Sequence, residues 1–283
     1  MKRLPLNAAI ALVLFGSIPV AVRHISANPY TIGIFRLAIA SVVLGILLRP
    51  ALPSSRRDWG RLAVIGFLFF GHWLTFFLSI KMSSASIAAI GLSTYGIFLI
   101  LFSAVFGNHR LRLVEVAAVL VAAAGAILII PQLDVSNRVT LGVLLSMLSA
   151  IFYASLPILH QRWSHLPTGT RAVGQFFFAL LCFLFFLPKT DWNLRPGDWY
   201  GLLFLAIGPT LIAHTLCVRV TTALPTALTS VIYYGNIPVA VALSVILLGE
   251  PLSARTVVGA LMIIGGGAVG LMSRAATTRR SVA

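Results

Sequence analysis

Two histidines stand 142 positions apart in apolar surroundings, each with hydroxyl or thiol neighbours at helical spacing. Thr75 and Ser79 follow His72, while Thr210, Cys217 and Thr221 flank His214. Steps of three and four keep such groups on one helix face. Imidazole titrates between pH 5 and 8 unless its surroundings shift it. The chemistry available is therefore hydrogen bonding and proton exchange. A second polar stripe, Thr222, Thr226, Thr229, Tyr233 and Asn236, recurs at steps of 4, 3, 4 and 3. Its partner region holds Ser84, Gly91, Thr94 and Tyr95. Tyr95, Tyr233 and Asn236 can surround a zwitterion or an aromatic side chain with hydroxyl, amide and ring contacts, and Gly91 opposite Tyr233 leaves room for it. The competing reading is that each imidazole and phenol only ties helices together.

Arg36 is the one cation well inside an apolar run. Its partner is a ligand carboxylate, the Glu250 side chain in a structural ion pair, or freed backbone carbonyls. None of Asp58, Glu115, Asp134, Asp191, Asp198 and Glu250 falls mid-run, although proton- and cation-coupled transporters often hold their driving ion on a buried carboxylate. If these groups serve the movement of a solute, facilitated diffusion or exchange is the expectation, with proton antiport through His72 and His214 left open.

The chain shows no G-x-x-x-x-G-K-[ST], no H-E-x-x-H and no carboxylate cluster, so it reads as a non-enzyme with no cofactor and no metal. Gly265 to Gly270 satisfies G-x-G-x-x-G as a string but sits inside an apolar run without a preceding strand, which excludes a dinucleotide site. Gly266 and Gly270 instead form a GxxxG, for a tight helix contact within the chain or across a homodimer. Cys182 and Cys217 fall in apolar runs and read as small buried hydrophobes.

The elements that must position these groups follow from composition. Of 283 residues, 59% are hydrophobic and 10% charged, too few ions to cover a water-soluble surface. This is an all-α integral membrane protein. Apolar runs of about 20 residues, the length a bilayer requires, lie near 6–23, 29–48, 60–80, 84–106, 113–131, 141–160, 171–187, 199–219, 226–248 and 255–273. These are ten transmembrane helices joined by short loops. A cleaved signal peptide is the weaker reading of the first. Alternate loops divide the 21 Lys and Arg into 14 and 6, with Arg36 between them. The richer set includes both ends of the chain, so both termini are expected on the cytoplasmic side. Orientation thus explains the net charge of +15, and no nucleic acid is needed. Trp59 and Trp199 read as interfacial anchors, and the Phe176 to Phe186 cluster as lipid-facing or packing surface.

The chain also repeats itself. Phe15-Gly16-Ser17-Ile18-Pro19 matches Tyr153-Ala154-Ser155-Leu156-Pro157 at an offset of 138, and from Gly66 and Gly208 onward the offset is 142. The larger offset pairs His72 with His214, Ser84-Ala85 with Thr226-Ala227, Gly107 with Gly249 and Gly125 with Gly267. An odd number of spans per half makes the repeat inverted: 1–134 forms the first five-helix unit and 135–283 the second. Such halves exchange inward-open and outward-open states around a midplane site. Pro19, Pro157 and Pro238 are candidate hinges, because proline frees a helix carbonyl and permits bending.

Phe15-Gly16-Ser17 followed by Arg23, Pro29 with Arg36 seven residues on, Lys81-Met82-Ser83-Ser84-Ala85-Ser86, and Leu248-Gly249-Glu250-Pro251-Leu252 resemble the drug/metabolite transporter superfamily. More narrowly, they resemble its EamA-type branch of ten-helix exporters. The resemblance spans essentially the whole chain, and within the branch the aromatic-rich spans are similar to amino-acid exporters of the YddG type. It implies export of small metabolites across the inner membrane, with Arg36 at a recurrent position. Three places depart from the pattern: Phe15 stands for the usual Trp, Gly107-Asn108 for Gly-Glu, and Gly96 for the span-four proline. The expected partners are a small-molecule substrate, most simply a neutral or aromatic amino acid, and the lipid bilayer. A membrane-embedded enzyme on a lipid-linked substrate, and an exporter of nucleotide sugars or drugs, are the alternatives.

Overall fold

The computed structural model describes residues 4–106, 111–130, 134, 136–217 and 234–282. Helices dominate, and there is no strand among the described residues. They are α1 (Leu4–His24), α2 (Pro29–Leu48), α3 (Arg56–Met82), α4 (Ala85–Leu92), α5 (Tyr95–Phe106), α6 (Leu113–Leu128), α7 (Arg138–Arg162), α8 (Thr168–Leu184), α9 (Pro196–Leu205), α10 (Asn236–Leu248) and α11 (Ala254–Val282). Counting Ala85–Phe106 as one crossing, seven helical stretches among the described residues are long and apolar enough to span a bilayer, and α6, α8 and α10 are shorter apolar helices. The expected span at 226–248 is described only from Tyr234 onward.

Local chemistry sets most helix starts. Asn28 accepts the Thr31 amide at 2.9 Å ahead of Pro29, Ser84 accepts the Ile87 amide, and Asn137 accepts the Val139 and Thr140 amides. Arg195 and Asp198 form a reciprocal cap at the start of α9. The hydrogen-bonded Asp198 carboxylate holds the Arg195 guanidinium above its ordinary pKa.

The fourth crossing is interrupted near its middle, and a turn precedes α10. The fourth breaks at Ser93–Thr94, where Thr94 Oγ1 turns back to the Gly91 carbonyl at 2.8 Å. The ninth has a turn at Gly235 immediately before α10. Pro238 therefore falls in the first turn of α10, where its missing N–H costs nothing, and not in mid-helix as its place in span nine implied. Beyond α9 the helix widens to a π-helix over Ala206–Ala213, around Pro209, before returning to α-geometry at His214. Pro19 and Pro157 lie inside the unbroken helices α1 and α7.

The GxxxG contact is made within the chain. A Cβ at Gly266 would lie 2.7 Å from the Ala118 carbonyl oxygen, and one at Gly270 would lie 3.2 Å from Ala118 Cβ. Gly125 and Gly259 approach just as closely, so small residues let α6 and α11 touch through their backbones.

Candidate functional site

His72 occupies the middle of α3 and is buried. Its Nδ1 lies 2.7 Å from the Ser149 hydroxyl on α7, and that hydroxyl donates to the His72 carbonyl at 2.9 Å. A hydroxyl has one proton to give. Since the carbonyl takes it, Nδ1–H must be the donor to Ser149, and Nε2 keeps its lone pair. Nε2 has no protein partner among the described residues. The packing and ligand readings of His72 thus apply to different edges of one ring.

A ladder of rings runs through the bundle from this point. His72 stacks on Tyr153 at 4.7 Å, Tyr153 meets Tyr95 edge-on at 5.4 Å, and Tyr95 stacks on Tyr234 at 4.8 Å. In the other direction Phe69 lies 6.1 Å from His72 and 5.8 Å from His214. Phe15 and Phe176 complete the walls around His214, at 5.1 and 5.4 Å. The two histidines of the sequence pairing therefore belong to one aromatic layer, fed by α1, α3, α5, α7, α8 and the segment after α9.

Arg36 joins the layer from α2 and is fully buried. Its guanidinium lies over Trp73 at 4.1 Å and near Phe77 at 5.3 Å, and Nε–H donates to Thr210 Oγ1 at 3.0 Å. Thr210 can accept because its own proton goes to the Leu205 carbonyl, five residues back, at 2.7 Å. The wide π turn sets that spacing, a local distortion often found at functional sites. Both imidazoles lie within electrostatic range of Arg36.

Other expected site residues fall elsewhere. Arg36 and Glu250 do not pair. Glu250 caps α4, accepting the Ala85 and Ser86 amides at 2.8 Å each, because the unpaired N–H groups of a helix start attract a carboxylate. Gly91 leaves no space for a ligand opposite a tyrosine. A Cβ there would sit 1.8 Å from Ser146 Oγ, so it serves the close packing of α4 on α7. Thr75 is buried and its hydroxyl donates to the Gly71 carbonyl, and Ser79 is wholly enclosed, its hydroxyl without a partner among the described residues. Asn236 is half-buried at the start of α10. Thr229 and Tyr233 lie outside the described residues, as do Thr221, Thr222 and Thr226.

Sequence reading missed Tyr234, Tyr153, Trp73 and Phe176. Tyr153 had a signal, since it stands opposite Phe15 in the repeat. Tyr234 had another, in the two glycines that make its slot. A Cβ at Gly96 would lie 1.8 Å from Tyr234 Oη, and one at Gly267 would lie 2.1 Å from it. Gly96, which departs from the usual proline, is thus accounted for by the tyrosine it admits.

The EamA-like transporter family model matches residues 4–130 and 140–272. The chain belongs to this family. As an EamA-like transporter it is 24% identical to the uncharacterized transporter YxxF of Bacillus subtilis, over 95% of this chain and 89% of that protein. It is 25% identical to the aromatic amino acid exporter YddG of Ancylobacter novellus, over 67% of this chain and 66% of the exporter. A crystal structure superimposes with a TM-score of 0.67 at 20% identity, covering 97% of this chain and 98% of that one. That likeness concerns the fold. The EamA-like assignment makes the chain a multi-pass membrane transporter.

Proposed function

We propose that this transporter exports small metabolites, most simply neutral and aromatic amino acids, across the inner membrane by alternating access at the His72–Arg36 layer. The carrying observation is the double contact of Ser149 with the His72 ring and carbonyl, which assigns the His72 tautomer. Ser149 commits Nδ1 as donor, so Nε2 offers a lone pair to a substrate ammonium. The ring ladder from Phe15 to Tyr234 supplies faces for an aromatic side chain, with offset and edge-on contacts each contributing about 0.5–1.5 kcal/mol. The layer is packed in this conformation, so a solute enters by displacing rings.

In this reading the halves 1–134 and 135–283 are inverted repeats, with both termini cytoplasmic, that rock about the layer. The helix break at Ser93–Thr94 and the turn at Gly235 stand about one repeat offset of 142 apart, in line with this reading. Pro19 and Pro157 serve as hinges, and the protein works without a cofactor, a nucleic acid or a catalysed reaction. The GxxxG helices meet within the chain, so in this reading that motif is not a homodimer contact.

The test is release of preloaded amino acids from proteoliposomes, with and without a pH gradient, set against a nucleotide sugar and a cationic drug. Saturable efflux of aromatic and neutral amino acids is expected, at a rate the gradient does not change. Efflux of the nucleotide sugar or drug alone would replace the assignment.

A further inference from the structure

We infer that Arg36 is the anchor for a substrate carboxylate, so that the solutes carried must bear a free one. This rests on the reading of the central layer as the transport site. Arginine has five N–H donors. Nε–H is spent on Thr210, while both terminal nitrogens are buried with no hydrogen-bond partner among the described residues. Sealing a charge from water without an anion is among the costliest arrangements a protein can hold. Function explains its retention better than stability does.

Among the described residues no carboxylate is paired with Arg36. Glu250 is held by the Ala85 and Ser86 amides, Asp198 by Ser26 and Arg195, and Asp58 by Ser55, Arg61 and His165. Glu115 accepts the Arg112 amide, while Asp134 and Asp191 turn to the Ser136 and Asn193 amides. With Trp73 and Phe77 against the guanidinium and Thr210 holding Nε, the outer edge presents two nitrogens as a fork. A carboxylate fits that fork with two parallel bonds.

Phosphate fits the same fork but carries about two negative charges at neutral pH. No second full cation adjoins Arg36 among the described residues. Lys81, one turn beyond Phe77, is turned to the Ile25 carbonyl, and the nearest basic groups are the two imidazoles. One arginine balances one carboxylate. With the ammonium on His72 Nε2, the layer would read both ends of a zwitterion.

The experiment is competition against tryptophan efflux by tryptamine, tryptophan amide, indole-3-propionate and indolyl phosphate, in wild type, Arg36→Gln and Arg36→Lys, each checked by thermal unfolding. Indole-3-propionate should compete, while tryptamine, the amide and the phosphate should not. Arg36→Gln should lose transport by roughly 30-fold or more without unfolding at a lower temperature. Arg36→Lys, charged but lacking the fork, should be weakened less. Equal competition by tryptamine, or full transport by Arg36→Gln, would overturn the inference. Arg36→Gln that unfolds early while Arg36→Lys transports like wild type would make the residue structural. If wild type moves no amino acid, the proposed substrates fail separately. The anchor is then read from stabilisation of wild type and Arg36→Lys by benzoate and by inorganic phosphate. A benzoate-selective shift that is larger in wild type than in Arg36→Lys supports it, and no such shift, or an equal one in both, rejects it.

Discussion

Tyr234 places its hydroxyl 2.9 Å from the carbonyl oxygen of Ser93, 141 residues away in the chain. That carbonyl lies at the break between α4 and α5, where no helix continues to satisfy it. One phenol therefore ties the ninth crossing to the interruption of the fourth and stacks on Tyr95 as well. Tyr234→Phe should keep the stack and lose about 1 kcal/mol. Gly96→Ala, which drives a Cβ to 1.8 Å from the hydroxyl, should cost more, about 1–3 kcal/mol. Thermal unfolding in detergent measures both, and equal melting temperatures for Gly96→Ala and wild type would contradict this packing.

Ser149→Ala removes the acceptor that fixes the His72 tautomer. The expected outcome is a loss of about 1–3 kcal/mol from an unsatisfied buried donor, with a raised KM for an ammonium-bearing substrate. Ser149→Thr, which restores the hydroxyl, should recover part of the affinity. A KM unchanged in Ser149→Ala would detach Ser149 from binding.

Glu250 joins α4 to the end of α10, at the bundle end where Ser26 also bonds Asp198 and Arg23 donates to the Ile80 carbonyl at 3.1 Å. Glu250→Gln keeps the shape and removes the charge facing two helix-start amides. It should destabilise by about 1–2 kcal/mol and raise the reactivity of a cysteine placed at Ser86 toward a water-soluble maleimide. Unchanged labelling would mean that the cap does not hold that end closed.

Gly266→Leu and Gly270→Val would push α11 from α6, where no void exists to receive a side chain. Expression in the membrane should fall sharply for both. Because the contact is within one chain, crosslinking between copies should not change in the protein that remains. A selective loss of crosslinked dimer with normal folding would relocate this contact to an interface.

How far the sequence foretold these features depends on the kind of signal each leaves. The spans were readable because hydropathy over 20 residues is a one-dimensional property. Partner choice is three-dimensional. Nothing in the spacing showed that Glu250 meets Ala85 and Ser86 rather than Arg36, nor that Gly91 faces Ser146. Tyr153, Trp73 and Phe176 looked like ordinary bulk in apolar runs, since their roles depend on which helices meet. The π turn around Pro209 was invisible as well. It becomes intelligible only once the Thr210 hydroxyl is seen donating to the Leu205 carbonyl while accepting from Arg36.

The central claim is that solute binds in the ring layer between the two histidines, and tryptophan counterflow into proteoliposomes tests it most directly. Wild type, His72→Ala, Tyr153→Ala and a lipid-facing control, Phe185→Ala, would be compared at matched amounts of folded protein. The account predicts saturable uptake in wild type and Phe185→Ala, and its near-complete loss in His72→Ala and Tyr153→Ala. Uptake in those two variants with wild-type KM and maximal rate would contradict it.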